Sequence, residues 1–217
     1  IIRYQKQKCG MYLLQTESGT FSLHEDLILK HELLLRKEIS EEERRALEKE
    51  NQEYQAYDIC LQELGKKLRT KRELREFLTK KGYLSSQIDS VIQKLQMQGY
   101  LDETIYRNSF FHDRILLSKD GPLKIEKELL EKGIPVDASV TESLFSEDLE
   151  LERIEKIVSK LVKKNKDGYR KFQQKTHYYL TQLGYHSHLI DIVLNRTELD
   201  DTDLYQKEYQ KVFRQLS

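Results

Sequence analysis

The sequence is poor in residues that break or bend a polypeptide chain. Its 217 residues include nine glycines, two prolines and no tryptophan. A β-rich core of this size needs many glycine and proline turns, so their scarcity argues against a large sandwich or barrel. Charged residues make up 34% of the chain. High charge with few breakers is typical of a helical protein with a thin core and much surface.

Net charge, cysteine pairs and long apolar runs are also missing. Lys plus Arg equals Asp plus Glu at 37 each, so only local charge segregation could indicate a polyanionic partner. Cys9 and Cys60 form no CxxC motif, which predicts ordinary reduced thiols. No apolar run approaches the ~18 residues that span a bilayer, and we expect a cytoplasmic protein without a membrane contact. The chain begins at Ile1, and we expect a trimmed N-terminus.

The common enzyme signatures are absent from the sequence. It has no GxxxxGK[ST], strand-linked GxGxxG, GxSxG or HExxH motif. His186 and His188 form the only close histidine pair, with no cysteine or acidic residue at ligand spacing. The acidic clusters at 38–44 and 198–203 lie at expected helix N-termini, where they meet the helix dipole favourably. The sequence therefore predicts no enzyme, no cofactor and no metal site.

The N-terminal part differs from the rest of the chain. Residues 11–16 and 21–26 alternate like two short strands around a glycine-containing turn. A lone hairpin is marginal in water, so we expect it to pack on the segment behind it or on the first long helix. Ser40 and Glu43 then have capping-box spacing, which predicts a helix to about Leu64.

A repeat organises the remaining sequence. Gly82, Gly133 and Gly184 are spaced by 51 residues, and a leucine precedes each glycine by four positions. This period, with three amphipathic helices per unit, predicts a mostly α fold of tandem three-helix repeats in a curved, elongated array with a small N-terminal β-hairpin. The expected divisions are a 1–40 extension, repeats at 41–99, 100–146 and 147–198, and the first helix of a partial fourth repeat at 199–217.

The end of the chain carries an apolar helical stripe that begins near Leu204. A terminal repeat normally has a polar outer face, because nothing stacks beyond it. We therefore expect the native chain to continue for about 30–50 residues, the rest of one such unit.

Charge segregation is the positive functional signal. Residues 66–81 hold eight basic and two acidic residues, and residues 160–175 hold seven and one, so each span has a net charge of +6. Residues 119–132 hold four of each sign. Each basic span is either a solvated helix face or part of a shared stripe, which we expect to lie on one side of the array.

Several tyrosines have two interpretations. They could stack on nucleic-acid bases, although tyrosines at helical spacing more often pack at the boundary of a core. The set comprises Tyr100, Tyr106, Tyr169, Tyr178, Tyr179 and Tyr185.

Residues 99–133 carry a resemblance to a known family. The stretch GYLDETIYRNSFFHDR, followed by DGPLKIEKELLEKG, resembles the RecX family of recombination regulators, and the likeness extends over about residues 50–195. Arg107 departs from the small residue that many members have there. The matching positions are Gly99, Tyr100, Leu101, Asp102, Glu103, Tyr106, Phe110, Arg114, Gly121, Pro122, Ile125, Leu129, Lys132 and Gly133.

The resemblance implies a regulator without enzymatic activity. RecX proteins bind the RecA–DNA filament along its helical groove and restrain strand exchange, ATP hydrolysis and co-protease activation. A monomer that contacts RecA, and DNA directly or within the filament, is therefore expected. The residues expected to contact the filament are Arg69, Lys71, Arg72, Arg75, Arg114, Lys119, Lys163, Lys164, Lys166 and Arg170. The alternatives are a stand-alone DNA-binding helical module and, with no supporting constellation, a hydrolase or transferase.

Asp102 is expected to cap the helix that follows it, with Tyr106 and Phe110 packed inward. Replacing Asp102 by Ala should then lower the free energy of unfolding by about 0.5–2 kcal/mol, because the first turn loses an acceptor for its free N–H groups. Urea unfolding of the two proteins measures this difference. Loss of RecA binding at unchanged stability would instead place Asp102 in the contact surface.

Overall fold

The computed structural model describes residues 3–7, 10–17, 19–36 and 38–198. They form two compact units that divide between Glu103 and Thr104. Within the described ranges, no helix is both long and apolar enough to cross a bilayer. The expectations for Cys9 and for the terminal helix at 199–217 concern residues outside these ranges.

The first unit begins with a three-stranded antiparallel sheet in the order β1 (Arg3–Lys6), β2 (Met11–Thr16) and β3 (Gly19–His24). The expected hairpin is β2–β3, in which Met11 pairs with His24 and Thr16 with Gly19. Strand β1 was not predicted, because three of its four residues are polar. Its tyrosine, Tyr4, anchors the edge by donating a hydrogen bond of 2.6 Å to the carbonyl of Leu33.

The sheet packs on both expected partners. Its buried side chains, among them Leu14 and Leu23, meet helix α1 (Glu25–Lys30) and a short 3-10 turn (Leu33–Leu35). Leu47 of the long helix α2 closes the same core. This burial supplies what an isolated hairpin lacks.

Three helices complete the first unit: α2 (Glu41–Leu64), α3 (Lys71–Lys80) and α4 (Ser85–Met97). Ser40 caps α2 by accepting the N–H of Glu43, and Thr70 and Glu73 form a reciprocal capping box at α3. The start of α2 agrees with the sequence prediction. The common core of the three helices contains the side chains of Ala56, Cys60, Leu74, Leu78, Ile88, Val91, Ile92, Leu95 and Leu101.

Helix α2 has 24 residues and ends at Leu64, where the sequence predicted its end. It is long because it serves two cores in succession. Leu47 packs under the sheet, and the amide of Asn51 accepts the N–H of His24 and donates to the carbonyl of Ser22. One turn later Ala56 and Cys60 face α3 and α4. Burial raises the pKa of the Cys60 thiol to about 11, so it remains protonated at neutral pH.

The second unit is entirely helical in its described part. Its elements are α5 (Glu103–Leu117, starting one residue before the division), α6 (Pro122–Glu131), α7 (Ala138–Leu144), α8 (Glu147–Val162), α9 (Tyr169–Gln182) and α10 (Ser187–Arg196). Helices α2–α4, α5–α7 and α8–α10 lie within the three ranges expected for the repeats, whose boundaries stay a prediction.

The core of the second unit draws on all six helices. On α5 the wholly buried aromatic residue is Phe111, while Tyr106 and Phe110 stack on each other 6.2 Å apart at its edge. The inward packing predicted for that aromatic pair is therefore partial. Helix α5 begins at Glu103, directly after Asp102, and the role of Asp102 as its cap stays a prediction.

The repeated leucine and glycine form a helix-ending motif. Gly82, Gly133 and Gly184 have φ of 89°, 83° and 85°, a left-handed conformation that glycine adopts without strain. The N–H of the next residue returns to the carbonyl of the repeated leucine, at 3.2 Å for Leu78, 2.9 Å for Leu129 and 3.2 Å for Leu180. The period in the sequence is thus a period of Schellman caps.

One of these caps, at Gly184, meets the start of α6 inside the second unit. The N–H groups of Gly121 and Leu123, at the start of α6, donate to the carbonyls of Leu183 (2.7 Å) and Gly184 (3.0 Å), at the end of α9. A Cβ atom at Gly121 would lie 2.5 Å from the carbonyl oxygen of Gly184, so the backbones approach too closely for any side chain. The first-turn donors of α6 are thereby satisfied by backbone of the following repeat.

Replacing Gly121 by Ala should destabilise the second unit through this close approach. Gly121 has φ of −87°, which alanine tolerates, so the cost comes from lost N-cap preference and from steric overlap. Gly168 is a matched control, because it is the N-cap of α9, has φ of −63° and has open space around its Cβ position. We expect the loss of unfolding free energy for Gly121→Ala to exceed that for Gly168→Ala by about 1–3 kcal/mol. Equal losses in urea unfolding would contradict a tight backbone contact.

Candidate functional site

The four basic residues predicted for the first unit are all engaged with carboxylates of the same unit. Such exposed pairs add little stability, but they compensate the positive charge locally. The pairs are Arg69 with Glu63 (2.7 Å), Lys71 with Glu103 (3.0 Å), Arg72 with Glu76 (3.0 Å) and Arg75 with Asp89 (2.6 Å).

Arg114, also predicted as a contact residue, belongs to a network within the second unit. Its guanidinium pairs with Asp120 and Glu128 and lies 5.0 Å from the ring centroid of Phe110. Burial alone would raise the pKa of Asp120, but hydrogen bonds from Lys124 and Ser118 and the charge of Arg114 lower it. Arg114 therefore has a clear structural role at the turn between α5 and α6.

The remaining predicted cations have a different environment. Lys119 lies in the α5–α6 turn and is exposed, and the other four lie exposed between the end of α8 and the first turn of α9. Within the described ranges, none of the five forms an ion pair with a carboxylate. The four are Lys163, Lys164, Lys166 and Arg170.

The nearest acidic residue in sequence is already occupied. Asp167 binds Lys171 at 3.0 Å and Lys175 at 2.5 Å, and hydrogen bonds from Lys175 and Lys171 lower its pKa. It thus compensates two lysines of α9 and leaves the α8–α9 loop positive. Both basic spans have a net charge of +6, but in the described chain the predicted contact residues of the first span are paired with carboxylates and those of the second span are not.

Two of these unpaired cations, Lys119 and Lys164, border a groove of about 280 Å³ in the second unit. We call it the basic groove. None of its lining side chains is acidic. The lining residues are Ser118, Lys119, Arg153, Lys156, Ile157, Lys160, Leu161, Lys164, Tyr179 and Tyr185.

Helix α8 supplies most of the positive charge. Arg153, Lys156, Lys160 and Lys164 follow one another at three- or four-residue steps, so they lie on one side of the helix and the loop after it. Ile154 and Val158 point the other way into the core. Lysines near the C-terminus of a helix are also favoured by its dipole, which helps to keep Lys160 and Lys164 there.

Arg153 fixes the wall of the groove. Its guanidinium donates to the carbonyls of Ile115 (2.6 Å) and Ser118 (2.8 Å), and its Nε to the hydroxyl of Tyr185 (3.3 Å). The Tyr185 hydroxyl in turn donates to the carbonyl of Lys119 at 2.9 Å. Burial raises the pKa of Tyr185 despite the opposing effect of Arg153. The turn that carries Lys119 is thereby held against α8 and the end of α9.

Sequence reasoning missed Arg153, Lys156 and Lys160 as members of this site. A count of net charge along the α8 sequence does not reveal these three cations, because glutamates occupy the other faces of the helix. The three- and four-residue spacing of the cations up to Lys164 could have indicated that they share one side of a helix. Of the two lysines, Lys156 is the less available, since it pairs with Glu152.

The histidine pair forms no metal centre in the described part of the chain, where no group of three potential ligands was found. The buried carboxylate of Glu150 accepts the N–H of His186 at 2.7 Å and approaches its ring Nδ1 at 2.9 Å. His188 is exposed. This arrangement fixes the start of α10.

Known proteins resemble the chain over most of its length. The family model described as RecX, first three-helix domain, matches residues 56–95. The regulatory protein RecX of Oceanobacillus iheyensis is 28% identical over 212 residues, which cover 93% of this chain and 78% of that protein. The regulatory protein RecX of Listeria monocytogenes serotype 4a is 26% identical, with coverage of 97% and 81%.

Solved structures have the same fold. A crystal structure of regulatory protein RecX superimposes with a TM-score of 0.75 at 21% identity and covers 89% of this chain and 97% of its own. The crystal structure of RecX from Lactobacillus salivarius gives 0.61 at 26% identity, with coverage of 66% and 95%.

The fold and the site together define a helical-repeat protein with a small N-terminal sheet and a basic groove. The chain resembles regulatory proteins named RecX over most of its length, and its residues 56–95 match the model of the first RecX three-helix domain.

The raised pKa of Tyr185 predicts a loss of stability at alkaline pH. Unfolded tyrosine loses its proton near pH 10, whereas folded Tyr185 keeps it, so above that pH the unfolded state binds fewer protons and stability falls. Tyr185→Phe should cost about 1 kcal/mol at neutral pH through its lost hydrogen bonds but remove this part of the alkaline fall. Urea unfolding across pH 10 measures both effects, with Tyr178→Phe, an exposed tyrosine, as the control. Parallel pH profiles for Tyr185→Phe and the unmodified protein would contradict the assignment.

Proposed function

We propose that this protein regulates RecA by binding the RecA–DNA filament along its helical groove and restraining its recombinase, ATPase and co-protease activities. The resemblance to RecX proteins supports the class of partner. The observation that carries the proposal is the set of cations in the second unit that the described chain leaves without carboxylate partners. Such a set suits a polyanionic or acidic surface.

The two basic spans have different roles in this proposal. The second-unit cations, Lys119, Lys163, Lys164, Lys166 and Arg170, contact the filament. The first-unit cations and Arg114 already bind carboxylates, and each would have to give up an internal partner before it contacted another molecule. That the two spans share one face stays a prediction.

Regulation in this proposal works by binding, without a chemical step of its own. The protein acts as a monomer in the cytoplasm and needs no cofactor. A tandem array suits a repetitive filament, because several modest contacts made at once add up through effective concentration.

A stand-alone DNA-binding module is the second candidate function, and the same unpaired cations favour it. Direct binding would give a log K against log salt slope of several units on naked DNA, because each phosphate contact releases counterions. The net charge of zero favours the filament over naked DNA as the main target. A titration against single-stranded DNA with and without RecA and a slowly hydrolysed ATP analogue separates the two. Filament regulation predicts much tighter binding when RecA is present.

Neutralising the second-unit cations should weaken regulation more than neutralising those of the first unit. We expect the triple change Lys163→Gln, Lys164→Gln and Lys166→Gln to reduce inhibition of RecA ATPase severalfold at low salt, with unchanged helicity by circular dichroism. The matched control changes Lys71, Arg72 and Arg75 to Gln, which removes three cations that are already paired. A stronger effect of the control set would refute the assignment of roles.

A further inference from the structure

The basic groove continues into a second hollow. That hollow, of about 390 Å³, is lined by the α8–α9 loop and by α9, including Lys166, Phe172 and Thr176. The two hollows share Leu161, Lys164 and Tyr179 in their walls. They therefore form one track along the second unit, with Lys164 and Tyr179 at the junction.

Tyr179 is unusual among the aromatic residues of this surface. Its side chain is 37% exposed, and within the described residues its hydroxyl makes no hydrogen bond. Tyr185 in the same groove is buried and uses its hydroxyl to hold the Lys119 turn. Packing and hydrogen bonding thus explain the presence of Tyr185 in the groove. They do not explain Tyr179, whose ring is partly exposed there.

The charges along the track are well placed for a chain of anions. Lys119 and Lys160 line the first hollow, Lys164 the junction and Lys166 the second hollow, and none of the four pairs with a described carboxylate. A single small anion would occupy only one end of this arrangement. A polymer with regularly spaced charges would engage all four lysines.

We propose that this track binds single-stranded nucleic acid, with Lys119, Lys160, Lys164 and Lys166 contacting successive phosphates and Tyr179 stacking on one base. The inference rests on the proposed function, because it assigns three of the cations that carry that function, Lys119, Lys164 and Lys166, to the nucleic-acid strand of the filament. Lys160 joins them from the wall of the first hollow. It adds a stacking contact made by Tyr179, and it specifies that the nucleic acid is single-stranded.

The chemistry favours a nucleic acid over an acidic peptide. The bidentate fork of arginine is the preferred partner of carboxylates, and the groove offers one arginine, Arg153, three of whose five N–H donors are taken by the protein itself. Lysines contact phosphates as point charges, and a tyrosine ring stacks on any base. A base can reach Tyr179 only when it is unstacked, which selects a single strand over a duplex.

The test uses the full chain and a fluorescein-labelled oligothymidylate, followed by fluorescence anisotropy at several salt concentrations. Tyr179→Leu should weaken binding by about 5- to 150-fold, the range for losing one stacked base, whereas Tyr179→Phe should bind like the unmodified protein. Tyr178→Leu is the matched control, since Tyr178 is a neighbouring exposed tyrosine that does not line the track. Changing Lys160 and Lys164 to Gln should lower the log K against log salt slope by about 1.4, or 0.7 for each phosphate contact.

An abasic oligonucleotide of the same length separates stacking from charge. Its binding should still depend on Lys160 and Lys164 but no longer on Tyr179. The proposal is overturned if Tyr179→Leu binds oligothymidylate as tightly as Tyr178→Leu does. Tighter binding of labelled polyglutamate than of oligothymidylate, with the same lysine dependence, would also overturn it in favour of an acidic protein segment.

Failure of the track proposal and failure of the proposed function would give different results. Oligothymidylate binding that depends on Tyr179, without any effect of the protein on RecA, would support the track and refute the RecA proposal. Inhibition of RecA that depends on Lys164 but not on Tyr179, with no oligonucleotide binding, would refute the track and leave the regulatory function standing.

Discussion

The second unit depends on the backbone contact between the start of α6 and the end of α9. Gly121 and Gly184 allow two main chains to approach within hydrogen-bonding distance, so the free N–H groups of one helix meet the terminal carbonyls of another. This contact fixes the turn before α6, which Arg153 and Tyr185 then hold from the other side. The position of Lys119, and with it one wall of the basic groove, follows from that packing.

Local charge compensation distinguishes the two basic spans more sharply than their composition does. Both carry a net charge of +6, and the whole chain has none. In the first unit, carboxylates from α2, α4 and Glu103 meet the cations around α3. In the second, Asp167 is occupied by two lysines of α9, so Lys160 at the end of α8 and the lysines of the α8–α9 loop have no described carboxylate partner. A polyanion would gain most where internal compensation is missing.

Local rules predicted much of the fold, because capping and helix termination depend on residues close in sequence. Ser40 acts on the helix turn that directly follows it, and the helix it predicted, ending near Leu64, agrees with the structure. Strand β1 was missed because its pairing depends on partners elsewhere in the chain. The candidate site was less predictable for the same reason. Whether a lysine is free depends on carboxylates brought in by folding, and Arg153 shows its role only once Ser118 and Tyr185 lie beside it.

The central claim is that the unpaired lysines of the second unit make the contact with the filament. Covalent lysine footprinting with an amine-reactive reagent and mass spectrometry tests it directly on the unmodified chain, with and without RecA assembled on single-stranded DNA. We expect protection of Lys119, Lys163, Lys164 and Lys166, with unchanged reactivity at the exposed Lys80 and Lys127. Protection confined to lysines of the first unit, with those four still fully reactive, would contradict it.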